Sequence, residues 1–350
     1  MKWSISFSPI TTIASLIPML FLGYGVTKKT IKYLSPRLAK KGLSGRDLNK
    51  ATSELIPEDG GLGPAALFFL VECIHVSVRQ DFAHITSVLG IIASAMLGFI
   101  DDVVDLRWRH KLVFPCITLL PAVMGYAGDN LVIFGFTFSS LLTRLYCLFF
   151  TIFSQNAVNI YAGINGIEVG QVLVATGALL IALSIRGYKY RTVEDLFNEE
   201  PQLGDAILLL ILFLTVSIAL YSLNRFPSKV FVGDVYAYFG GATFALAAML
   251  GGELLLAPFL FGMQILNFGL SLPQLLGWVP CPRHRLPRLN TQTGKLEGLP
   301  TNLNLINQYL RLRGPVSEKR LFYELVGIQI CLSIIVLCLW AYLEHLLRRK

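Results

Sequence analysis

The sequence predicts an all-α polytopic membrane protein with about ten transmembrane helices and a small cytosolic β-hairpin excursion after the ninth. Two observations predict this class. Of the 350 residues, 54% are hydrophobic and only 15% are charged, and the mean hydropathy of +0.61 is too high for a soluble domain. Apolar runs long enough to cross a bilayer as a helix recur along the chain, so residues 1–350 are expected to form one transmembrane domain.

Ten apolar runs of roughly 15 to 23 residues are predicted to be the spans. Lys2 is the single basic residue before the first run, and no small-residue cleavage pattern follows the run. The first run is therefore interpreted as a retained helix and not as a signal peptide. In chain order, the predicted spans are 5–24, 62–78, 85–100, 112–126, 141–160, 169–185, 206–223, 235–250, 254–276 and 321–343.

The basic residues of the loops predict which side of the membrane each loop faces. If the loops alternate across the membrane, five of them hold 21 of the 30 Lys and Arg residues. The positive-inside rule places these five loops in the cytosol and both termini on the opposite side, although the basic tail 348–350 taken alone favours the cytosol. The predicted cytosolic loops are 27–60, 101–111, 161–168, 224–234 and 277–320.

Charge and cysteine usage exclude two other classes of protein. The formal net charge of +8 follows the sidedness of the loops, so a nucleic acid is not expected as a partner. Five of the six cysteines lie within apolar runs and only Cys281 lies in a polar loop. This placement argues against a disulfide framework and against a thiolate metal site.

The densest polar stretch of the chain follows the third predicted span. An ionised side chain at the bilayer centre costs roughly 2.5 to 3.5 kcal/mol, so such groups face water, a cavity or a bound ion. One interpretation is a solvated helix end whose acids pair with the following cations. The other is a site for a metal and phosphates, because cations one turn beyond the acids can neutralise a pyrophosphate. The acids are Asp101, Asp102 and Asp105, and the cations are Arg107, Arg109 and Lys111.

Two further groups offer oxygen ligands near the same face of the membrane. Asn156 and Asn159 share a helix face at the end of the fifth predicted span, where hydrogen bonding between helices is the alternative role. Asp234 begins the eighth span, where it is either a helix N-cap or a ligand. With substrate phosphates completing the octahedron, Asn159 and Asp234 supply the small oxygen set that Mg²⁺ takes.

The loop 277–320 contains a rigid segment rich in Pro and Arg, followed by a turn and a return strand ending at Glu297. Arg presents a fixed fork of donors, so this loop is predicted to recognise a planar or anionic group. The first cytosolic loop taken alone is interpreted as a linker that contains an Ile-Pro-Glu turn. Glu72 and His75, one helical turn apart in the second span, are predicted to satisfy each other or a neighbouring helix and not to take part in chemistry.

Several short motifs in a fixed order carry a family resemblance over about 46–315. These motifs are Asp-Leu-Asn-Lys (47–50), Ile-Pro-Glu (56–58), Leu-Arg-Trp-Arg-His-Lys (106–111), Ala-Gly-Ile-Asn-Gly (162–166), Phe-Val-Gly-Asp (231–234) and Pro-Cys-Pro-Arg-His-Arg (280–285). With them the chain resembles the eukaryotic UDP-N-acetylglucosamine:dolichyl-phosphate N-acetylglucosamine-1-phosphotransferases, which belong to the polyprenyl-phosphate N-acetylhexosamine-1-phosphate transferases and begin lipid-linked oligosaccharide assembly for N-glycosylation.

The resemblance implies a multi-pass protein of the endoplasmic reticulum membrane, with a cytosolic active face and lumenal termini. It implies UDP-N-acetylglucosamine, dolichyl phosphate and membrane lipid as partners and Mg²⁺ as cofactor; a homodimer is a further hypothesis. It also implies catalytic, metal-binding, uridine-binding and sugar-binding residues, the last mostly within the sugar-recognition loop 277–320. The implied catalytic residues are Asp101, Asp102, Lys111 and Arg283, and the implied metal ligands are Asn159 and Asp234. The implied uridine-binding residues are Leu48, Glu58, Asn165 and Phe231, and the implied sugar-binding residues are Trp108, His284 and Arg285.

The chain departs from the family pattern at a few places. Asp105 stands where Asn is common, Arg46 where Gln is common and Tyr161 where Leu is common, and the loop after Glu297 is short. Two rival functions are considered. A bacterial-type relative would use undecaprenyl phosphate or another UDP-sugar, against which the Arg-His-Arg loop and Trp108 argue. A secondary transporter would place its polar groups near the membrane midplane, often in two related halves, and neither feature is found here.

Overall fold

The computed structural model describes residues 9–51, 54–282 and 284–347. Within these residues the chain forms fourteen helices and three two-stranded antiparallel sheets. The helices are α1 (Pro9–Ala39), α2 (Leu62–Arg79), α3 (Phe82–Val104), α4 (Trp108–Thr118), α5 (Leu120–Met124), α6 (Ser140–Ile160), α7 (Ile167–Gly187), α8 (Val193–Glu199), α9 (Pro201–Asn224), α10 (Gly233–Leu250), α11 (Leu256–Leu260), α12 (Gly262–Leu275), α13 (Leu305–Arg313) and α14 (Glu318–Leu347). The strands are β1 (Ser44–Arg46), β2 (Leu55–Pro57), β3 (Val132–Ile133), β4 (Phe136–Thr137), β5 (Arg288–Asn290) and β6 (Lys295–Glu297).

The helical pattern confirms a polytopic membrane protein. Among the described helices, six are long and apolar enough to cross a membrane: α2, α3, α6, α7, α9 and α14. Helices lie at all ten predicted positions, although residues 5–8 of the first predicted span lie outside the described residues. At two of these positions the predicted span is divided into two shorter helices. α4 and α5 occupy the predicted span 112–126, and α11 and α12 occupy the predicted span 254–276. The count of ten spans therefore stays a prediction.

The short elements differ in part from expectation. The predicted hairpin after the ninth position is confirmed, with β5 and β6 paired so that Arg288 faces Glu297. Two more hairpins, β1–β2 and β3–β4, and the short helices α8 and α13 were not predicted. α1 continues to Ala39, far past the predicted end at residue 24, because its Lys-rich second half is compatible with a helix.

α10 lies at the centre of the helices, with residues 235–250 all buried. It packs against α3, α6, α7 and α9, and small residues permit this close packing. A Cβ at Gly98 of α3 would lie 2.5 Å from the Asp234 carbonyl oxygen, and a Cβ at Gly241 would lie 2.4 Å from the Ser154 carbonyl oxygen. The backbone at the start of α10 therefore rests directly on α3.

We expect Gly98→Ala to lower the rate of the reaction that the family resemblance implies by about ten- to a hundredfold, because a shift of about 1 Å at a site can cost this much. The added methyl group must push the first turn of α10, which carries Asp234, away from α3. Steady-state kinetics of the purified variant would check this. The matched control is Gly327→Ala in α14, where a Cβ meets nothing within 4 Å and activity should be unchanged. Equal activities of the two variants would contradict the close contact.

Main-chain hydrogen bonds join the first predicted cytosolic loop to the loop between α9 and α10. The amide of Phe231 donates to the carbonyl of Pro57 at 2.8 Å, and the amide of Gly60 donates back to the carbonyl of Phe231 at 2.9 Å. The amide of Gly61 also donates to the carbonyl of Val232 at 3.0 Å. These bonds continue the β1–β2 hairpin toward the start of α10 and place two loops that are distant in sequence beside each other.

Candidate active site

Two adjoining cavities open where the predicted cytosolic loops meet. The first has a volume of about 500 Å³ and the second of about 480 Å³. Asn159, Gly163 and His284 line both cavities, so the two spaces meet there. All five loops predicted to be cytosolic contribute to the wall of the first cavity, through Leu48, Asp102, Asn165, Asp234 and His284 in chain order.

Asp102 lies in the last turn of α3 and points at the N-terminus of α10. Its two carboxylate oxygens accept hydrogen bonds from the amides of Asp234 at 3.0 Å and Val235 at 3.2 Å. These amides have no partner within their own helix, and the helix dipole favours a negative charge at this end. Asp102 is thus the capping group of α10 as well as a wall of the first cavity.

Gly233 separates two carboxylates at the start of α10. Its φ of +71° is in the left-handed region that favours glycine. A Cβ there would lie 2.5 Å from Asp59 Oδ1 and 2.7 Å from Asp102 Oδ2, so no larger side chain fits. The carboxylates of Asp59 and Asp102 therefore face the same small space beside Asp234.

Asp59 also belongs to this site, although its position in the sequence did not predict this. It is only 1% exposed, and neither of its carboxylate oxygens has a hydrogen-bond partner among the described residues. Burial raises the pKa of the Asp59 carboxyl above its ordinary value, the negative charges of Glu58 and Asp234 raise it further, and the neighbouring Asp102 carboxyl lowers it by less than these effects together. A buried carboxylate without a hydrogen-bond partner, beside a second carboxylate, is an environment that a hard divalent cation stabilises, so Asp59 and Asp102 fit Mg²⁺.

Lys111, in the first turn of α4, reaches back to the carboxylates of two other helices. Its Nζ lies 2.6 Å from Asp101 Oδ2 and 3.5 Å from Asp234 Oδ2. Burial opposes the charge of this ammonium group, but the Asp101 and Asp234 carboxylates more than offset that effect and raise its pKa. Lys111 therefore stays charged at the edge of the second cavity.

Asp101 is buried beneath Lys111 and lines neither cavity. One of its oxygens accepts from the amide of Leu106 at 3.0 Å, and the other accepts from the Tyr238 hydroxyl at 3.2 Å and contacts Lys111. With both oxygens occupied, this carboxylate is placed to orient Lys111 and has no open route to a substrate. Of the two aspartates expected at the reacting centre, Asp102 lines the first cavity and Asp101 does not, and their catalytic roles stay a prediction.

The four residues expected to frame a uridine all line the first cavity: Leu48, Glu58, Asn165 and Phe231. Glu58 and Phe231 lie together over Gly45, where a Cβ would lie 2.3 Å from Glu58 Oε1 and 3.6 Å from Phe231 Cε2. Burial raises the pKa of Glu58, and the nearby charge of Asp102 raises it further.

Asn165 is held from several sides and acts as a fixed wall. Its side-chain amide donates to Asp47 at 3.0 Å, its side-chain oxygen accepts from the amide of Ser228 at 3.1 Å, and its own main-chain amide donates to Glu318 at 2.7 Å. Lys50 forms ion pairs with both Asp47 and Glu318. This network, which includes Glu318 from the first turn of α14, was not predicted because its members are far apart in sequence.

The second cavity is lined by His284 and Arg285 of the predicted sugar-recognition loop, together with Lys111 and Asn159. The backbone of this loop is held by α13, since Asn304 and Asn307 donate to the carbonyl of Arg285 at 2.7 and 3.0 Å. Arg283 and the side chain of Trp108 lie outside the described residues.

The positions that depart from the family pattern lie in different surroundings. Asp105 ends α3 in a left-handed conformation with φ of +53° and lines neither cavity. Asn and Asp adopt this conformation more readily than other residues with a side chain, so either residue suits the end of α3. Arg46 lines the first cavity, and Tyr161 ends α6 as a fully buried ring.

Comparison with known proteins identifies the family of this chain. Residues 84–252, from α3 to just past the end of α10, match glycosyl transferase family 4. The UDP-N-acetylglucosamine--dolichyl-phosphate N-acetylglucosaminephosphotransferase of Dictyostelium discoideum is 36% identical, over 88% of this chain and 85% of that protein. The protein of the same name from Schizosaccharomyces pombe is 34% identical, over 84% of this chain and 74% of its own length. The one from Saccharomyces cerevisiae is also 34% identical, over 89% of this chain and 77% of its own length. The chain therefore belongs to the dolichyl-phosphate N-acetylglucosaminephosphotransferases of glycosyl transferase family 4.

Proposed function

We propose that this enzyme transfers N-acetylglucosamine-1-phosphate from UDP-N-acetylglucosamine to dolichyl phosphate, giving dolichyl-pyrophosphoryl-N-acetylglucosamine and UMP. The observation that carries the proposal is the meeting of two cavities beside a cluster of carboxylates and one charged lysine, in a chain whose relatives bear this activity in their names. The first cavity takes the uridine between Glu58 and Phe231. The second takes the N-acetylglucosamine against His284 and Arg285.

Mg²⁺ is the cofactor of this proposal, and Asn159 and Asp234 are its proposed ligands. Asp59 and Asp102 add negative charge beside them, and the unpartnered oxygens of Asp59 support a cation at this place. When bound, Mg²⁺ neutralises phosphate oxygens and so favours attack on phosphorus.

The reaction forms one P–O bond and breaks another. An oxygen of dolichyl phosphate attacks the β-phosphorus of the UDP-sugar, and the bond from that phosphorus to the bridging oxygen breaks, so that UMP leaves with this oxygen. A phosphate monoester is largely ionised at neutral pH because its second pKa is about 6, so a strong general base is not required. Lys111, and Arg283 by family resemblance, stabilise the charge that develops on the phosphate oxygens.

We expect Asp102→Asn to retain turnover within about tenfold of the wild type, since a helix cap that keeps one acceptor oxygen loses about 1 kcal/mol or less. The carboxylate of Asp102 is occupied by the amides of Asp234 and Val235, which leaves it poorly placed to remove a proton. The pH dependence of kcat for wild type and variant would check this. Asp102→Ala, which loses both acceptor oxygens, should be less active than Asp102→Asn. Loss of the acidic limb of the profile in Asp102→Asn together with a thousandfold slower reaction would instead identify Asp102 as a base.

The orientation of the chain is also part of the proposal: ten spans in the endoplasmic reticulum membrane, an active face in the cytosol and both termini in the lumen. The first cavity supports this orientation, because each of the five loops that hold most of the basic residues contributes to its lining. Labelling of single cysteines placed in loops on either side of intact microsomes would test the orientation. Pairing of two chains stays a prediction, for which cross-linking of the purified enzyme is the test.

Release of UMP from UDP-N-acetylglucosamine tests the function itself. The purified enzyme should release UMP only when both Mg²⁺ and dolichyl phosphate are present. Faster reaction with undecaprenyl phosphate would favour the bacterial type of acceptor. Uptake of the nucleotide sugar into vesicles without UMP release would favour a transporter, and no release with either lipid would reject the proposed activity.

A further inference from the structure

A second polar cluster lies at the other end of the helices that carry the proposed active site. It consists of Glu72 and His75 of α2 and His84 of α3, and we name it the Glu72–His75–His84 cluster. Seventeen residues separate His84 from Asp101 along α3, which is about 25 Å at the rise of a helix. The cluster is therefore separate from the carboxylates and the lysine of the active site.

The three side chains converge on one point. Glu72 and His84 are 1% and 0% exposed, respectively. Glu72 Oε2 lies 3.0 Å from His84 Nε2 and 3.4 Å from His75 Nδ1, and one ligand atom from each residue lies within 4.8 Å of the others. A Zn²⁺ ion bound at about 2.0 to 2.1 Å in a tetrahedron spaces its ligands about 3.3 Å apart, so two of the three separations already match.

Neighbouring groups form the outer shell that a zinc-binding histidine usually has. His75 Nε2, on the ring edge away from Glu72, lies 3.2 Å from Asp205 Oδ1, and Arg79 Nε lies 3.3 Å from the same oxygen. A carboxylate on the far side of a ligand histidine fixes the orientation of the ring. His75 Nε2, His84 Nδ1 and Asp205 Oδ2 are buried without a well-oriented hydrogen bond among the described residues, so hydrogen bonding within the protein does not fully satisfy the cluster.

The alternative explanation is a buried ion-pair network with protonated histidines, which agrees with the sequence-based expectation for Glu72 and His75. The two histidine rings lie side by side, with centroids 4.7 Å apart. Charging both rings in a buried place is opposed by mutual repulsion and by loss of water, whereas His75 alone can carry a charge between Glu72 and Asp205. A metal ion instead uses both rings in their neutral form, with Glu72 as its carboxylate ligand and Asp205 beside the outer edge of the His75 ring.

We propose that the Glu72–His75–His84 cluster binds one Zn²⁺ ion, with water as the fourth ligand. Two imidazoles and one carboxylate favour Zn²⁺ over Mg²⁺ and Ca²⁺, which prefer oxygen ligands alone. The ion links the C-terminal half of α2 to the start of α3. Through the contact between His75 and Asp205, it also stabilises the position of the start of α9. This site is structural and does not depend on the proposed reaction.

Metal analysis of the full-length enzyme, purified in detergent without a metal-binding tag, tests the proposal. We expect close to one Zn²⁺ per chain, lost on dialysis against a strong chelator. The Tm should then fall by several degrees and recover with Zn²⁺ but not with Mg²⁺, since a ligand stabilises the state that binds it. Co²⁺ in place of Zn²⁺ should give the visible absorption of a tetrahedral site.

Variants separate the metal site from a hydrogen-bonded network. His84→Gln keeps a polar group near Glu72 but should lose the Zn²⁺ and the response of Tm to chelator. His345→Gln, at an exposed position near the end of α14, is the matched control and should keep both. A wild-type enzyme that contains no Zn²⁺ and whose Tm ignores chelator and added Zn²⁺ would overturn the proposal. Zinc retained in His84→Gln would overturn the ligand assignment.

Discussion

Replacing Asp234 with alanine is expected to slow UMP release by about a thousandfold or more, because a metal-held phosphate contributes several kcal/mol of transition-state stabilisation. Asp234 is the one charged member of the proposed Mg²⁺ ligand pair, and it also contacts Lys111 at 3.5 Å. Its removal therefore weakens the cation site and the position of the lysine together. Initial rates measured over a range of Mg²⁺ concentrations would check this.

The Mg²⁺ titration separates a ligand from a structural residue. Asp234→Asn keeps one neutral oxygen, so we expect it to need a higher Mg²⁺ concentration for half-maximal rate and to recover part of its activity there. Asp129→Ala, at an exposed position that lines neither cavity, should behave like the wild type. Wild-type Mg²⁺ dependence in Asp234→Asn would rule out the ligand role.

Replacing Lys111 with methionine is expected to lower kcat by about a hundred- to a thousandfold, the range for loss of one preorganised group that stabilises developing charge. Methionine keeps much of the length of the side chain but removes the ammonium group that lies between Asp101 and Asp234. Lys29→Met, at an exposed position of α1, is the matched control and should be fully active. Single-turnover rates would separate slow chemistry from slow product release.

Asp101 provides a second test of the same lysine. If Asp101 only orients Lys111, Asp101→Asn should show a smaller loss than Lys111→Met, and the double variant should be no worse than Lys111→Met alone. Additive losses in the double variant would mean that Asp101 acts on the substrate by another route. The fully occupied oxygens of Asp101 lead us to expect the non-additive result.

The helices were predictable because each depends on a local property of the chain. A run of apolar residues long enough for a bilayer indicates a helix wherever it occurs, and α2, α6 and α10 agree with their predicted bounds to within two residues. The breaks between α4 and α5 and within 254–276 were not predictable from hydropathy. Pro115 and Pro121 lie beside the first break and remove backbone donors there, but their effect depends on the neighbouring helices.

The candidate site was predictable only in part. Motifs identified its members loop by loop, and the structure brings those in the described residues to two adjoining cavities. Asp59 was missed because an acid next to a turn looks like any solvated linker residue, and its burial comes from contacts with the distant loop at Phe231. His84 and Asp205 were missed for the same reason, since only tertiary packing places them beside Glu72 and His75.

Because five loops line the first cavity, a ligand bound there should affect how this protein tolerates destabilising substitutions. A nucleotide bound there touches chain segments that begin near residue 45 and end near residue 286, so it links most of the fold at one place. Binding to the native state alone shifts the folding equilibrium toward that state. Variants weakened far from the cavity should therefore be rescued by a nucleotide analogue, which would act as a folding aid for the whole enzyme and not only as an inhibitor.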